Sequence, residues 1–131
     1  MILLDTHVWV WWVSQSVSLP GPVEALLLTG MSKGALFVSC ISAWEVALLV
    51  RRGRLVLSME VDDWIARSQA LPFLSFVPID NRIALRATNL PAPLHDDPAD
   101  RMIVATALSL GAKLVTKDEK LRRYPHVETV W

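Results

Sequence analysis

Cysteine is nearly absent from this chain. Cys40 is the only one among 131 residues, so no disulfide can close within the protein. That excludes the small disulfide-stapled class and fits a reducing compartment. Cys40 lies in the apolar run Leu36-Phe37-Val38-Ser39-Cys40-Ile41 and is expected to be buried packing rather than chemistry. Long apolar runs are missing too: no stretch approaches the roughly 20 uncharged residues of a spanning helix. The apolar segment Met1 to Val13 has no basic flank and is interrupted by Asp5, which does not suit a signal peptide. These absences predict a cytoplasmic protein with no membrane segment. Neither sign of charge is in excess, with 13 Lys and Arg against 13 Asp and Glu and a pI near 6.8. Polyanion-binding domains usually carry a basic surplus, so any nucleic-acid contact here must come from local placement of charge. There is no GxSxG nucleophile turn and no Walker-type glycine loop, the usual signatures of serine hydrolases and of P-loop enzymes.

What is present is apolar. Hydrophobic residues make up 53% of the chain and charged residues 20%, a globular balance at a length that fits one domain over residues 1–131. Mean hydropathy is +0.37 and there are six tryptophans. A small sphere cannot hide so much apolar surface, so part of it is expected to be covered by another chain.

Short apolar runs alternate with helical patterns. Met1 to Leu4, Ala35 to Ser39, Phe73 to Ile79 and Lys113 to Thr116 read as strands, with Val127 to Trp131 as a last short one. Helices are predicted over His7 to Val13, Val23 to Met31, Ser42 to Arg52, Asp62 to Ala70, Asn81 to Thr88 and Pro98 to Leu110, with a helical turn from Asp118 to Arg123. Gly111 closes the helix that Pro98 opens. The alternation indicates an α/β domain with a mainly parallel sheet.

Acids recur just after the strands. Asp5 ends the first, Glu45 falls in the first turn after the second, Asp97 and Asp100 open the strong helix, and Asp118 follows the fourth. In a parallel sheet the strand C-terminal ends share one edge, so these residues can converge there. Each also has a local explanation. Asp5, Asp97 and Asp118 suit helix N-caps, Ser42-Ala43-Trp44-Glu45 matches a capping box, and Asp100 suits the positive end of a helix dipole. The repetition of acids, where Ser, Thr or Asn would cap equally well, favours a shared site. Four carboxylates at one edge repel unless a cation sits among them. An all-oxygen set suits Mg²⁺ or Mn²⁺ rather than zinc, and such ions assist in-line displacement at phosphorus.

The other candidates carry less. His7, His95 and His126 lack zinc-ligand spacing. Arg51-Arg52-Gly53-Arg54 reads as a solvated helix end, and is also the densest cationic patch available to phosphate. Trp9, Trp11 and Trp12 read as core and interface, with base stacking as the alternative.

Four motifs together resemble the PIN-domain proteins of the VapC toxin type. Leu3-Leu4-Asp5-Thr6-His7-Val8 is similar to that family's first strand and first acid, and Val38-Ser39-Cys40-Ile41-Ser42-Ala43-Trp44-Glu45 to its second. His95-Asp96-Asp97-Pro98-Ala99-Asp100-Arg101 resembles its H-x-D-P-x-D-R signature, and Leu114-Val115-Thr116-Lys117-Asp118 its closing T-x-D element. The resemblance spans nearly the whole chain in order. It implies a Rossmann-like α/β/α sandwich, Mg²⁺ or Mn²⁺, cleavage of RNA phosphodiesters, a homodimer and a VapB-like antitoxin. By motif it implies Asp5, Glu45, Asp100 and Asp118 as catalytic metal-site acids, Asp97 beside them as a further ligand, and Thr6 and Thr116 as supporting residues. Asp96 departs from the pattern by placing an acid where the subgroup often has a base, which bears on a phosphate contact rather than on the metal site. Two other readings remain at this point: a receiver-like domain, with Asp80 as phosphoacceptor, and a catalytically silent PIN-like binding module.

Overall fold

The computed structural model describes all residues, 1–131. Five strands run in chain order with seven helices between and around them. They are β1 (Ile2–Leu4), α1 (Thr6–Ser14), α2 (Gly21–Ser32), β2 (Leu36–Ser39), α3 (Cys40–Arg51), α4 (Val61–Gln69), β3 (Leu74–Val77), α5 (Asn81–Thr88), α6 (Pro98–Leu110), β4 (Lys113–Val115), α7 (Glu119–Arg122) and β5 (Thr129–Val130). The strands form one sheet in the order β3-β2-β1-β4-β5, and every pairing is parallel. The expected mainly parallel α/β architecture is therefore present, with no antiparallel edge.

The unbroken apolar strands follow from that topology. A parallel sheet carries helices on both faces, so both sets of side chains are buried. Ile2 and Leu4 of β1 point into one core with α1, α2, α3 and α4, while Leu3 between them points into the other with α6 and α7. All three are buried. Trp9 fills the first core. It has no exposed surface and its ring meets Trp64 at 4.8 Å and Phe76 at 5.4 Å. Its indole N–H finds no partner, so this residue is held by volume and ring contact alone. Gly30 lets α2 lie close on the sheet, since a Cβ there would stand 2.6 Å from Leu36 Cδ2.

Two local expectations need correction. Helix α3 begins at Cys40, two residues earlier than expected, and its N-cap is Ser39, whose Oγ accepts from Ile41 N at 3.2 Å. Ser42 is thus inside the helix and Glu45 stands in its second turn, so the capping box does not form. Cys40, expected to be buried, is exposed. The strand ends at Ser39, and the change from strand to helical rotation turns the next side chain away from the sheet.

The helix α6 ends as expected, with Gly111 at φ 65° accepting the left-handed cap. Removing the ring that fills the larger core tests this packing. Trp9→Ala should lower unfolding stability by about 3–5 kcal/mol, read as a shift in urea midpoint. A change below about 1 kcal/mol would show that the core does not depend on this ring.

Candidate active site

Strand order reverses across β1, with β2 on one side and β4 on the other, and ligand clefts in open parallel sheets form at such a switch point. A cleft of about 520 Å³ opens there, at the strand C-terminal ends, lined by Asp5, Glu45, Asp97, Asp100 and Asp118. Residues far apart in sequence, from α1, α3, α6 and the turn after β4, have been brought to one place. All five expected acids are in it. Asp80 is not, and instead accepts from Ile83 N at 2.9 Å as the N-cap of α5. The receiver-like reading thereby loses its phosphoacceptor.

Hydrogen bonds fix the acids from behind. Thr116, fully buried, donates its hydroxyl to Asp5 Oδ2 at 2.6 Å and accepts from Asp118 N at 3.0 Å. One hydroxyl so ties the acid after β1 to the turn after β4. Asp5 Oδ1 accepts from Thr6 N at 2.8 Å. Thr6 Oγ1 lies 2.5 Å from Glu45 Oε1 and 2.8 Å from Ser42 Oγ. It has one proton, so it donates to the carboxylate and accepts from Ser42. Both supporting threonines therefore touch acids directly, and Ser42 joins them through its place inside α3.

The capping explanations hold for part of the set. Asp97 Oδ1 accepts from Asp100 N at 3.0 Å and Asp118 Oδ1 from Lys120 N at 2.8 Å. Glu45 caps nothing. Asp100 stands in the first turn of α6 without accepting a cap bond and faces His95, whose Nε2 lies 3.2 Å from Asp100 Oδ2. The pair is close but poorly aligned, and Nε2 is otherwise buried without a partner. His95 Nδ1 accepts from Asp97 N at 3.2 Å, so the neutral ring carries its proton on Nε2, toward Asp100. This role was not readable from the spacing of His95. It depends on Arg101, which donates to Ala87 O at 2.9 Å, Leu94 O at 3.2 Å and His95 O at 3.3 Å and so holds the loop against α5.

The charges are unbalanced. Asp100 is pushed up to about 8, first by burial and then by the carboxylates of Asp5, Asp97, Glu45 and Asp118. Burial also raises Glu45, against the Thr6 hydrogen bond that lowers it, and raises Asp5, against the bonds from Thr116 and Thr6. Lys117 is the single Lys or Arg lining the cleft. No three of the Asp, Glu, His or Cys side chains converge tightly enough in this arrangement to hold an ion. The donor set nonetheless fits a hard divalent cation: every acid offers oxygen, and the field that keeps a proton on Asp100 is one a cation would relieve.

The fold and site define a parallel α/β domain with a carboxylate cleft at its topological switch point, where such sheets bind their ligands. The chain belongs to the PIN-domain family, whose model, described as PIN domain, matches residues 2–127. It is 36% identical over 132 residues to Ribonuclease VapC22 of Mycobacterium tuberculosis, covering 99% of this chain and 98% of that protein. Among solved structures it is similar to VapBC2 from Rickettsia felis bound to a promoter DNA fragment, with TM-score 0.70, 17% identity and 99% and 98% of the two chains covered. It is also similar to FitAcB from Neisseria gonorrhoeae, with TM-score 0.68, 20% identity and 100% and 97% covered. These two likenesses carry the fold.

The raised Asp100 predicts a stability profile for the protein without divalent ions. Its carboxyl is protonated in the folded state up to about 8, whereas in the unfolded chain it ionises near 4. The unfolded state therefore binds fewer protons between those values, and stability from this group falls as pH rises from about 4 to about 8. Thermal midpoints in a chelator should drop across that window, and millimolar Mg²⁺ or Mn²⁺ should reverse the drop by favouring the ionised acids. A flat profile, identical with and without the ions, would remove the case for a shared acidic site.

Proposed function

We propose that this chain is a divalent-metal-dependent ribonuclease, hydrolysing RNA phosphodiesters, with residues 1–131 as one catalytic domain. The observation that carries the reading is the convergence of five acids in one cleft of a chain 36% identical to a ribonuclease. Asp5, Glu45, Asp100 and Asp118 would hold Mg²⁺ or Mn²⁺, with Asp97 at the mouth as cap and further carboxylate. When bound, such an ion supplies charge stabilisation at the phosphoryl group and a more acidic water. The residues of the chain do the positioning. Thr116 and Thr6 lock Asp5 and Glu45 so that neither must reorganise as charge develops on phosphorus. His95 Nε2, 3.2 Å from Asp100 Oδ2, would donate to that acid once the two side chains align.

The resemblance to VapC-type proteins supports a toxin role, with a VapB-like antitoxin as partner, action in the cytoplasm and a homodimer as the working form. A hollow of about 580 Å³ between α1, α4 and residues 55–59 suits a helical segment of such a partner. Val10, Trp11, Leu57 and Trp64 line it, and Val56 at its lip is 90% exposed. An arginine from the same segment pairs well with the acid cleft, since a guanidinium meets carboxylates two-pronged. Trp44 and Leu85, exposed on α3 and α5, supply apolar surface for self-association. No helix of the structure is long and apolar enough to cross a membrane.

Asp100→Asn tests the catalytic reading. An amide is close in shape to the protonated acid, so the fold should be unchanged and, without divalent ions, increasingly more stable than the parent as pH rises from about 4 to about 8, while cleavage of single-stranded RNA in Mn²⁺ is lost. Asp5→Asn should likewise abolish cleavage with stability changed by less than about 1 kcal/mol, since asparagine caps a helix as well as aspartate. Full activity in either variant sinks the assignment.

Co-expression with a neighbouring small gene product should yield a stable complex without nuclease activity. Its cleft-facing arginine, changed to alanine, should return some cleavage while the complex persists. A protein that is harmless when expressed alone and brings down no neighbour would end the toxin reading and leave the nuclease one standing.

A further inference from the structure

Trp11 of α1 lines the acid cleft together with His7 and Lys117. Its ring lies 5.7 Å from His7 and 6.1 Å from Trp131, and the Lys117 ammonium stands 5.9 Å from its centroid. Lys117 is exposed and has five carboxylates in the same cleft, yet it forms no ion pair with any of them. Trp131 in turn lines a second hollow, about 490 Å³, with Arg122 and Arg123. Both guanidiniums share the one carboxylate of Glu119, at 3.1 and 3.9 Å, which leaves a positive charge unmatched. Acids, a cation, aromatic rings and two guanidiniums therefore follow one another from the cleft outward.

Packing accounts for part of this, since Trp11 and Trp131 both rest against the edge of the first core, but not for the cations beside them. The core beneath is closed by Trp9, and Trp11, two residues on, is only half-buried and faces the cleft. Aromatic faces interleaved with cations are what an unpaired nucleic-acid strand binds, because every base has a π-face and every linkage a negative charge. A double helix keeps its bases stacked on each other and cannot offer one.

We propose that Trp11, flanked by Trp131 and Lys117, is a nucleotide-binding platform: an unpaired base next to the cleaved linkage stacks on the Trp11 indole, Lys117 meets the adjoining phosphate, and Arg122 and Arg123 receive the strand beyond. Lys117, on its flexible stem, leaves the ring face as the base arrives. The proposal rests on the ribonuclease reading and narrows it to single-stranded or looped RNA. Because stacking holds ground state and transition state alike, its loss should appear in KM rather than in kcat.

The test is steady-state cleavage, in Mn²⁺, of a short mixed-sequence single-stranded RNA by the full chain. Trp11→Ala should raise KM by about 5- to 100-fold with kcat little changed, Trp11→Phe should recover most of the loss, and Trp131→Ala should give a smaller rise. An abasic nucleotide walked along the substrate should reproduce the penalty at one position beside the cut, and Trp11→Ala should abolish that dependence. The same cut site enclosed in a duplex should be a poor substrate. If Trp11→Ala fails to fold, the abasic walk on the unaltered chain and the Trp11→Phe variant decide. No position-specific penalty overturns the platform. Cleavage with unchanged KM in Trp11→Ala, whether or not that variant loses a co-expressed protein partner, also overturns it while the ribonuclease reading stands. An unaltered chain that cuts no RNA takes down both.

Discussion

Like charge gathered at the end of β1 is the constraint around which the rest of this molecule is arranged. Asp5 is buried, and Asp100, Glu45 and Asp118 stand near enough to raise one another's pKa or that of their neighbours. Such a cluster opposes folding, so it must be held by something stronger than its own preferences. The opposing terms are apolar. Leu3, Leu4, Leu114 and Val115 are fully buried in the two central strands and anchor the chain within two residues of Asp5 and four of Asp118. At roughly 1.5–3 kcal/mol per large buried side chain, these four alone outweigh a strained carboxyl. The parallel sheet supplies the geometry, because β1 and β4 are adjacent and in register, with Leu4 beside Val115. Asp5 and Thr116 then emerge next to each other, and the 2.6 Å hydrogen bond between them follows.

Capping and a shared site are not competing explanations of these acids. A cap uses one carboxylate oxygen and leaves the other free. Asp97 and Asp118 each accept a backbone N–H on Oδ1, which fixes the side chain's rotamer and directs Oδ2 elsewhere. A helix start is thus a good support for a ligand: the same N–H groups that stabilise the helix hold the acid in place and temper its charge. Glu45 lacks this support, being in the second turn of α3, and takes it from Thr6 across the cleft instead. Asp100 has no such tether, the nearby imidazole Nε2 being misaligned for a hydrogen bond, and is the acid on which the field of the others falls.

Much of this was legible in the sequence, for physical reasons that differ from element to element. The strands showed as apolar runs because both sheet faces are covered. The α6 boundaries showed because Pro98 suits a first turn and Gly111 a left-handed cap. The acids showed because they recur after strands whose ends share an edge. The start of α3 did not. Ser39 and Ser42 are both competent caps, and the choice between them is made by where β2 stops pairing with β3, at Ser39 beside Val77. Cys40 was misjudged for the same reason, since its exposure depends on that boundary. His95 was invisible as a partner of Asp100, because the two meet only after Arg101 has fastened the loop to three carbonyl groups.

The three neighbouring tryptophans of α1 show how one helix divides its work between fold and surface. At 3.6 residues per turn, Trp9 and Trp12 share a side while Trp11 stands about 200° from Trp9. Trp9 is swallowed by the core against Trp64 and Phe76. Trp12 packs edge-on to Phe73 at 5.6 Å and extends that core outward. Trp11 does only part of this work. One side of its ring rests on the margin of that core, and the other follows the cleft wall toward His7 and Trp131. An indole at such a spot loses little conformational freedom when something settles on it, since its two side-chain torsions are already fixed by its neighbours. Rigidity without burial is what a binding surface needs, and α1 provides it because its other two tryptophans have already committed the helix to one orientation.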